Sequence, residues 1–169
     1  SSEQESRHRV WDADRMDTDR KRWDERWSAA PGSIAATPPD VVNTHPELLD
    51  VLPTTGPALD IACGLGAQAL WLAERGLAVN ALDVSSVAID RLTLAAQPHG
   101  HQLRAEVWDT DEGLPPTLTD LAMIVCQRYR SPALYGQFVS RLRVGGVLIL
   151  TVLSEVGLEG QPGAFHAPA

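Results

Sequence analysis

The apolar positions of this chain change rhythm several times, and each change predicts an element. Ala58 to Ala62 is a short apolar run broken by one carboxylate, Asp60, and it ends in Cys63-Gly64-Leu65-Gly66. Ala67 to Arg75 reads as a helix, with Gly76 just past its end, where a left-handed residue closes a helix. Leu77 to Leu82 predicts a second strand, ending at Asp83. Ser85 or Ser86 caps a helix that runs to Gln97, with Val87, Ile89, Leu92 and Leu94 as its apolar content. Leu103 to Val107 predicts a third strand. Leu121 to Cys126, apolar throughout, predicts a fourth that is covered on both faces. Ser131-Pro132 starts a helix in which Leu134, Phe138 and Leu142 recur at i+4, and Val147 to Val152 is a fifth strand. Strands alternating with helices of about ten residues predict an α/β fold, a doubly wound and mostly parallel sheet with helices on both faces.

Two zones precede this pattern. Fifteen of the first 28 residues are charged, which reads as a solvated helix or a partly disordered arm over residues 1–30. Trp11, Trp23 and Trp27 argue against plain disorder. Trp23 and Trp27 share a helix face, and either pin the arm to the domain or cover a ligand. The core of the chain is then residues 31–169. It begins as loop and carries a short helix signal at Thr44-His45-Pro46-Glu47, a capping box with proline in the first turn.

Composition narrows the class. With 169 residues, 44% of them hydrophobic, the chain makes one domain with a real core. The net charge of −8 disfavours a nucleic-acid-coating role. The longest apolar run, Val144 to Leu153, is about half of what a membrane helix needs, so no membrane partner is expected. Two distant cysteines make no disulfide framework, and no Cys/His spacing suits a metal. The expectation is a soluble cytoplasmic protein without a structural metal.

Ligands of such sheets bind beyond the carboxyl ends of the strands. Gly64-Leu65-Gly66-Ala67-Gln68-Ala69 fits a dinucleotide-binding fingerprint, which alone would allow a nicotinamide-type cofactor. Asp60 argues otherwise. A carboxylate inside an apolar strand needs a cationic or hydrogen-bonding partner, and a pyrophosphate loop has no use for it. A ligand with an amino group does; pairing with backbone N–H groups of its own loop is the alternative. Asp83 can accept from both ribose hydroxyls of an adenosine, or cap the next helix. Asp109, after Trp108, can accept from an adenine amino group, or be a surface acid.

Asp60-Ile61-Ala62-Cys63-Gly64-Leu65-Gly66 and Ala78-Val79-Asn80-Ala81-Leu82-Asp83-Val84-Ser85 resemble motifs one and two of class I S-adenosylmethionine-dependent methyltransferases. Within that class the chain is most similar to the tellurite-resistance and thiopurine methyltransferase type, through Trp23-Asp24-Glu25-Arg26-Trp27 upstream, the segment Ala69 to Gly76, and Arg141 to Gly146. The resemblance implies a Rossmann-like, seven-stranded sheet with a reversed last strand. It implies an S-adenosylmethionine site, with S-adenosylhomocysteine as product, built from Asp60, Ala62, Cys63, Gly64, Gly66, Asp83, Val84, Trp108, Asp109 and Cys126. The activity it implies is in-line methyl transfer to a small-molecule acceptor. A non-catalytic S-adenosylmethionine-binding domain is the alternative.

Three departures stand out. Ala62 replaces the usual first glycine, which is tolerable at negative φ. Ala67-Gln68 lacks the basic or amide pair of the tellurite-type loop. The sequence stops at Ala169, just after the fifth strand, so the natural chain is expected to continue, or a partner, as in a homodimer, to supply the edge; Gly157 to Pro168 reads as a mobile loop toward that part. The acceptor enters past the fourth strand, at Cys126-Gln127-Arg128-Tyr129-Arg130. This stretch lacks the signature of base amino-group methylation. Arg128 and Arg130 are candidates for holding an anionic acceptor, and Tyr129 for positioning or deprotonating it; a polar surface loop is the alternative. Cys63 and Cys126 read as small buried hydrophobes on neighbouring strands.

Overall fold

The computed structural model describes residues 17–152; Trp11, the rest of the first 16 residues and the Gly157–Pro168 stretch lie outside the described residues. Five strands form one sheet: β1 (Pro57–Ile61), β2 (Ala78–Asp83), β3 (Leu103–Val107), β4 (Leu121–Gln127) and β5 (Leu142–Thr151). The order across the sheet is β3-β2-β1-β4-β5, and every pairing is parallel. The order reverses at β1, so a crevice opens between the chain ends leaving β1 and β4.

The helices are α1 over residues 17–29, α2 (Asp40–Thr44), α3 (Ala67–Glu74), α4 (Ser86–Ala95) and α5 (Pro132–Arg141). A strand alternates its side chains between faces, and the core divides accordingly. Ala58 and Val79 join Leu70, Leu72, Ile89 and Leu92 on the α3/α4 face. Leu59, Ile61 and Leu82 join Leu134 and Phe138 on the α5 face. Asp60 stands in β1 between Leu59 and Ile61 and is only 2% exposed.

Several local expectations need correction. Thr44 does not open a capping box. It ends α2, its hydroxyl donating to the Val41 carbonyl, and the next turn, Pro46–Asp50, is a 3-10 helix without a side-chain cap. The short helix Asp40–Thr44 falls in a stretch that proline density marks as loop; Pro39 sits at its N-cap, where a missing N–H costs nothing. β5 begins directly after α5, at Leu142, five residues before the predicted strand. Its first residues form an irregularity: Leu121 pairs with Leu142, but Met123 pairs with Val147. Gly145, at φ +81, lies inside it. The regularly paired part, from Val147, coincides with the apolar run.

Candidate functional site

The chain leaves β1 through three left-handed residues, Ala62 (φ +53), Gly64 (+54) and Gly66 (+83). This overturns the expectation of a negative φ at Ala62: the alanine adopts the glycine conformation at a cost of about 1–2 kcal/mol. The two glycines have steric reasons as well. A Cβ on Gly66 would lie 2.4 Å from the Leu92 side chain, and one on Gly64 2.8 Å from the Trp27 ring. α3 follows immediately, and its N-cap, Gly66, supplies no side-chain acceptor. The N–H groups of its first turn therefore have no side-chain cap, and that of Ala69 reaches Asp60.

Two carboxylates flank this loop, Asp60 within β1 and Asp83 at the end of β2, and a third, Asp109, follows β3. Asp60 Oδ2 is buried without a hydrogen-bond partner. Burial first, then the neighbouring Asp83 charge, pushes its acid up to about 8, against an opposing contribution from the Ala69 N–H in α3. Asp83 accepts from Gly64 N through Oδ2 and from Ser85 N through Oδ1, both at 2.9 Å, so it ties the glycine loop to the start of α4. Burial raises its acid too, while the Ser85, Gly64 and Val84 N–H groups pull the other way. Asp109 accepts from Asp111 N through Oδ1, while its Oδ2 is buried and unpartnered. Trp108 connects the ends of β2 and β3: its backbone N–H donates to the Asp83 carbonyl, and its indole N–H to the Gly113 carbonyl.

α1 lies across this cluster. Trp23 and Trp27 stack at 5.9 Å between centroids, and Trp27 rests on Gly64. The Ser85 hydroxyl donates to Asp24, and the Arg91 guanidinium donates to the carbonyls of Trp27, Ala30 and Pro31. The Trp27 indole N–H is buried without an acceptor. Sequence reasoning singled out the two tryptophans but missed Asp24 and Arg91. Their signal was weak, because Asp24 sits among other charges and Arg91 looks like any polar face of α4.

The Arg128 guanidinium pairs with Asp40 at 3.0 Å in an exposed ion pair, and its backbone is left-handed at φ +59. Gln127 accepts from the Asp40 N–H, so the end of β4 holds α2 in place. The Tyr129 hydroxyl is 2.9 Å from Thr110 Oγ1, and burial raises its acid above the usual phenol value. Arg130 is exposed.

Cys126 pairs with Ile61 across β4 and β1, and both cysteines are buried. Burial pushes the Cys126 thiol up to about 12 and raises that of Cys63, which suits small hydrophobes and not reactive thiolates. Among the described residues no acidic, His or Cys cluster suits a metal, and no helix is long and apolar enough to cross a membrane. A concavity of about 270 Å³ beside Thr93, Gln97, Gly100 and Leu103 lies at the opposite, amino end of β3 and holds none of these groups.

A glycine turn at the switch point of a parallel sheet, with carboxylates at and beyond the strand ends, is the place where such sheets take their ligands. The chain belongs to the methyltransferase domain family, whose profile matches residues 58–146. None of the curated proteins matches it. Solved structures do. The PH0226 protein of Pyrococcus horikoshii OT3 is 19% identical, with a TM-score of 0.58 over 75% of this chain and 64% of its own. An S-adenosylmethionine-dependent methyltransferase of Geobacter sulfurreducens, solved with S-adenosyl-L-homocysteine, is 17% identical, with a TM-score of 0.54 over 72% of this chain and 51% of its own. A Methanococcus maripaludis protein described as an S-adenosyl-L-methionine-dependent methyltransferase is 20% identical, with a TM-score of 0.51 over 63% and 52%. At these identities the likeness is one of fold. The chain spans about half to two thirds of the length of these structures.

Proposed function

We propose that the chain binds S-adenosylmethionine at the carboxyl ends of β1, β2 and β3 and transfers its methyl group to a small-molecule acceptor. The observation that carries this reading is the pair of buried, unpartnered carboxylate oxygens, Asp60 Oδ2 in β1 and Asp109 Oδ2 just after β3, on either side of β2 and its Asp83. Buried acceptors without partners are costly and call for donors from a ligand. An adenosyl amino acid carries donors of the required kinds: an ammonium group, two ribose hydroxyls and an adenine amino group.

In this reading Asp60 takes the ammonium end, with Ala62, Cys63, Gly64 and Gly66 bringing backbone close to the amino-acid portion. Asp83 retains lone pairs beyond those given to Gly64 and Ser85 and takes the ribose, with Val84 beside it. Asp109 takes the adenine amino group, while Trp108 and the Cys126 end of β4 supply apolar walls. When bound, S-adenosylmethionine supplies a methyl group on a positively charged sulfur, open to in-line displacement. The protein's contribution is then chiefly orientation and exclusion of water. Tyr129, a neutral phenol held by Thr110, positions an acceptor and does not deprotonate it. The family membership and the methyltransferases among the structural neighbours support this reading. Asp60 speaks against a nicotinamide dinucleotide, whose pyrophosphate would bring no donor to its buried, unpartnered oxygen.

The test is a thermal shift with S-adenosylmethionine, S-adenosylhomocysteine and NAD in parallel. A ligand at 100 times its Kd stabilises by about 2.7 kcal/mol. Stabilisation by the two sulfur compounds and not by NAD is expected; the reverse overturns the reading. Product formation with a panel of O-, N- and S-nucleophiles tests the transfer itself.

A further inference from the structure

Among the described residues Asp60 is a carboxyl group with no counter-charge. It is 2% exposed, and its Oδ2 meets no donor. Among the described residues, what faces it from each neighbouring element is neutral or negative. β2 contributes the Asp83 carboxylate, the loop contributes Cys63, β4 contributes Cys126, and α3 contributes only the Ala69 N–H. α1 adds a further acid, Asp24, on the far side of Asp83. The ion pairs found among the described residues, Lys21–Asp17 and Arg128–Asp40, both lie elsewhere. Two ionised carboxylates sharing a dry site repel each other, and burial adds to the cost of charging either. Asp83 has backbone donors to stabilise its charge, and Asp60 has an oxygen with none. The asymmetry assigns the proton to Asp60.

We propose that the cleft admits its cationic ligand in exchange for a proton: Asp60 is a neutral carboxylic acid while no cation is bound, and it loses its proton to solvent as a ligand ammonium group takes its place. This deepens the reading above and rests on it. The balance is simple. The neutral Asp60 acid and a free ligand ammonium become a carboxylate–ammonium ion pair and one proton in buffer, with no bond to carbon formed or broken. The acid level of about 8 gives the range over which the exchange operates. Below it, apparent affinity for a cationic ligand rises about tenfold for each pH unit, because each unit makes the proton tenfold easier to displace. Above it the affinity levels off.

Calorimetry at pH 6.5 in two buffers of different ionisation enthalpy counts the protons directly. With S-adenosylhomocysteine as probe, which carries the ammonium group but no sulfonium, release of close to one proton per ligand is expected. Adenosine, which lacks the amino-acid portion, should release none. Asp60→Asn should bind S-adenosylhomocysteine more weakly and release none. Binding by the wild-type chain without proton release overturns the proposal and leaves the cofactor reading standing. Undiminished release from Asp60→Asn also overturns it, because another group would then hold the proton. No binding at all overturns both. Should Asp60→Asn fail to fold, the contrast between S-adenosylhomocysteine and adenosine on the wild-type chain still decides.

Discussion

Asp60 and Ala62 each strain the chain, by different means, and each strain is measurable without ligand. In the unfolded chain Asp60 titrates near 3.8, and in the fold near 8, so the folded state holds its proton more tightly. Its contribution to stability is therefore full below about pH 4 and is lost as pH rises through about 8. Asparagine mimics the neutral acid. Asp60→Asn should unfold close to the wild-type temperature at pH 4 and well above it at pH 8.5, by several kcal/mol at the upper end. A gap that does not widen with pH would show that Asp60 is ionised in the fold. Ala62 at φ +53 makes a second case. Glycine removes the left-handed penalty of about 1–2 kcal/mol but gives back about 0.4–1 kcal/mol in unfolded-state entropy. Ala62→Gly should raise stability by about 0.5–1 kcal/mol in urea titration; destabilisation would mean that the alanine methyl makes packing contacts worth more than the strain.

At the scale of elements, α1 joins the site through long-range contacts. Asp24 bonds Ser85, 61 residues away, and Arg91 bonds the Trp27 carbonyl, 64 residues away. Trp27 seals the glycine loop, so Trp27→Ala should weaken S-adenosylhomocysteine binding about tenfold or more in calorimetry. If affinity holds and only the melting temperature falls, α1 is packing alone. This element also marks the boundary of what the sequence discloses. The paired parts of the strands, the helices after β1, β2 and β4 and the loop Cys63–Gly66 were legible, because period, glycine and apolar run all lie within a few neighbouring residues. The Asp40–Arg128 pair and the Gln127 bond to α2 were not. They join residues 87 and 88 positions apart, with no local signal at either end. The same applies to Asp83: its place at a strand end was legible, its grip on the Gly64 N–H was not. Its loss therefore costs more than ligand contacts. Asp83→Ala should lower both stability and affinity, with two backbone N–H groups left unsatisfied at about 1–3 kcal/mol each.

For the whole molecule, the two edges of the sheet are unequal. β3 alternates buried Leu103 with exposed Arg104 and Glu106, so charge lies along that edge and discourages pairing with another chain. β5 is different. Its paired part, Val147 to Thr151, carries no charge, and Leu150 within it and Val152 just after it are exposed, with Val144 fully so in the irregular start. Among the described residues nothing pairs with its outer side. An uncharged apolar edge strand offers unpaired N–H and C=O groups to any similar edge, including that of a second copy. The net charge of −8 opposes association at long range, but it is screened beyond about 10 Å at 0.1 M salt. The chain should therefore self-associate more as salt increases, the reverse of an assembly held by ion pairs. Sedimentation velocity across a dilution series at low and high salt measures this. Leu150→Lys, which places a charge on the edge away from the carboxylate cluster, should shift the population to monomer while leaving S-adenosylhomocysteine affinity unchanged. A wild-type chain that stays monomeric at high concentration and high salt would mean that this edge is covered.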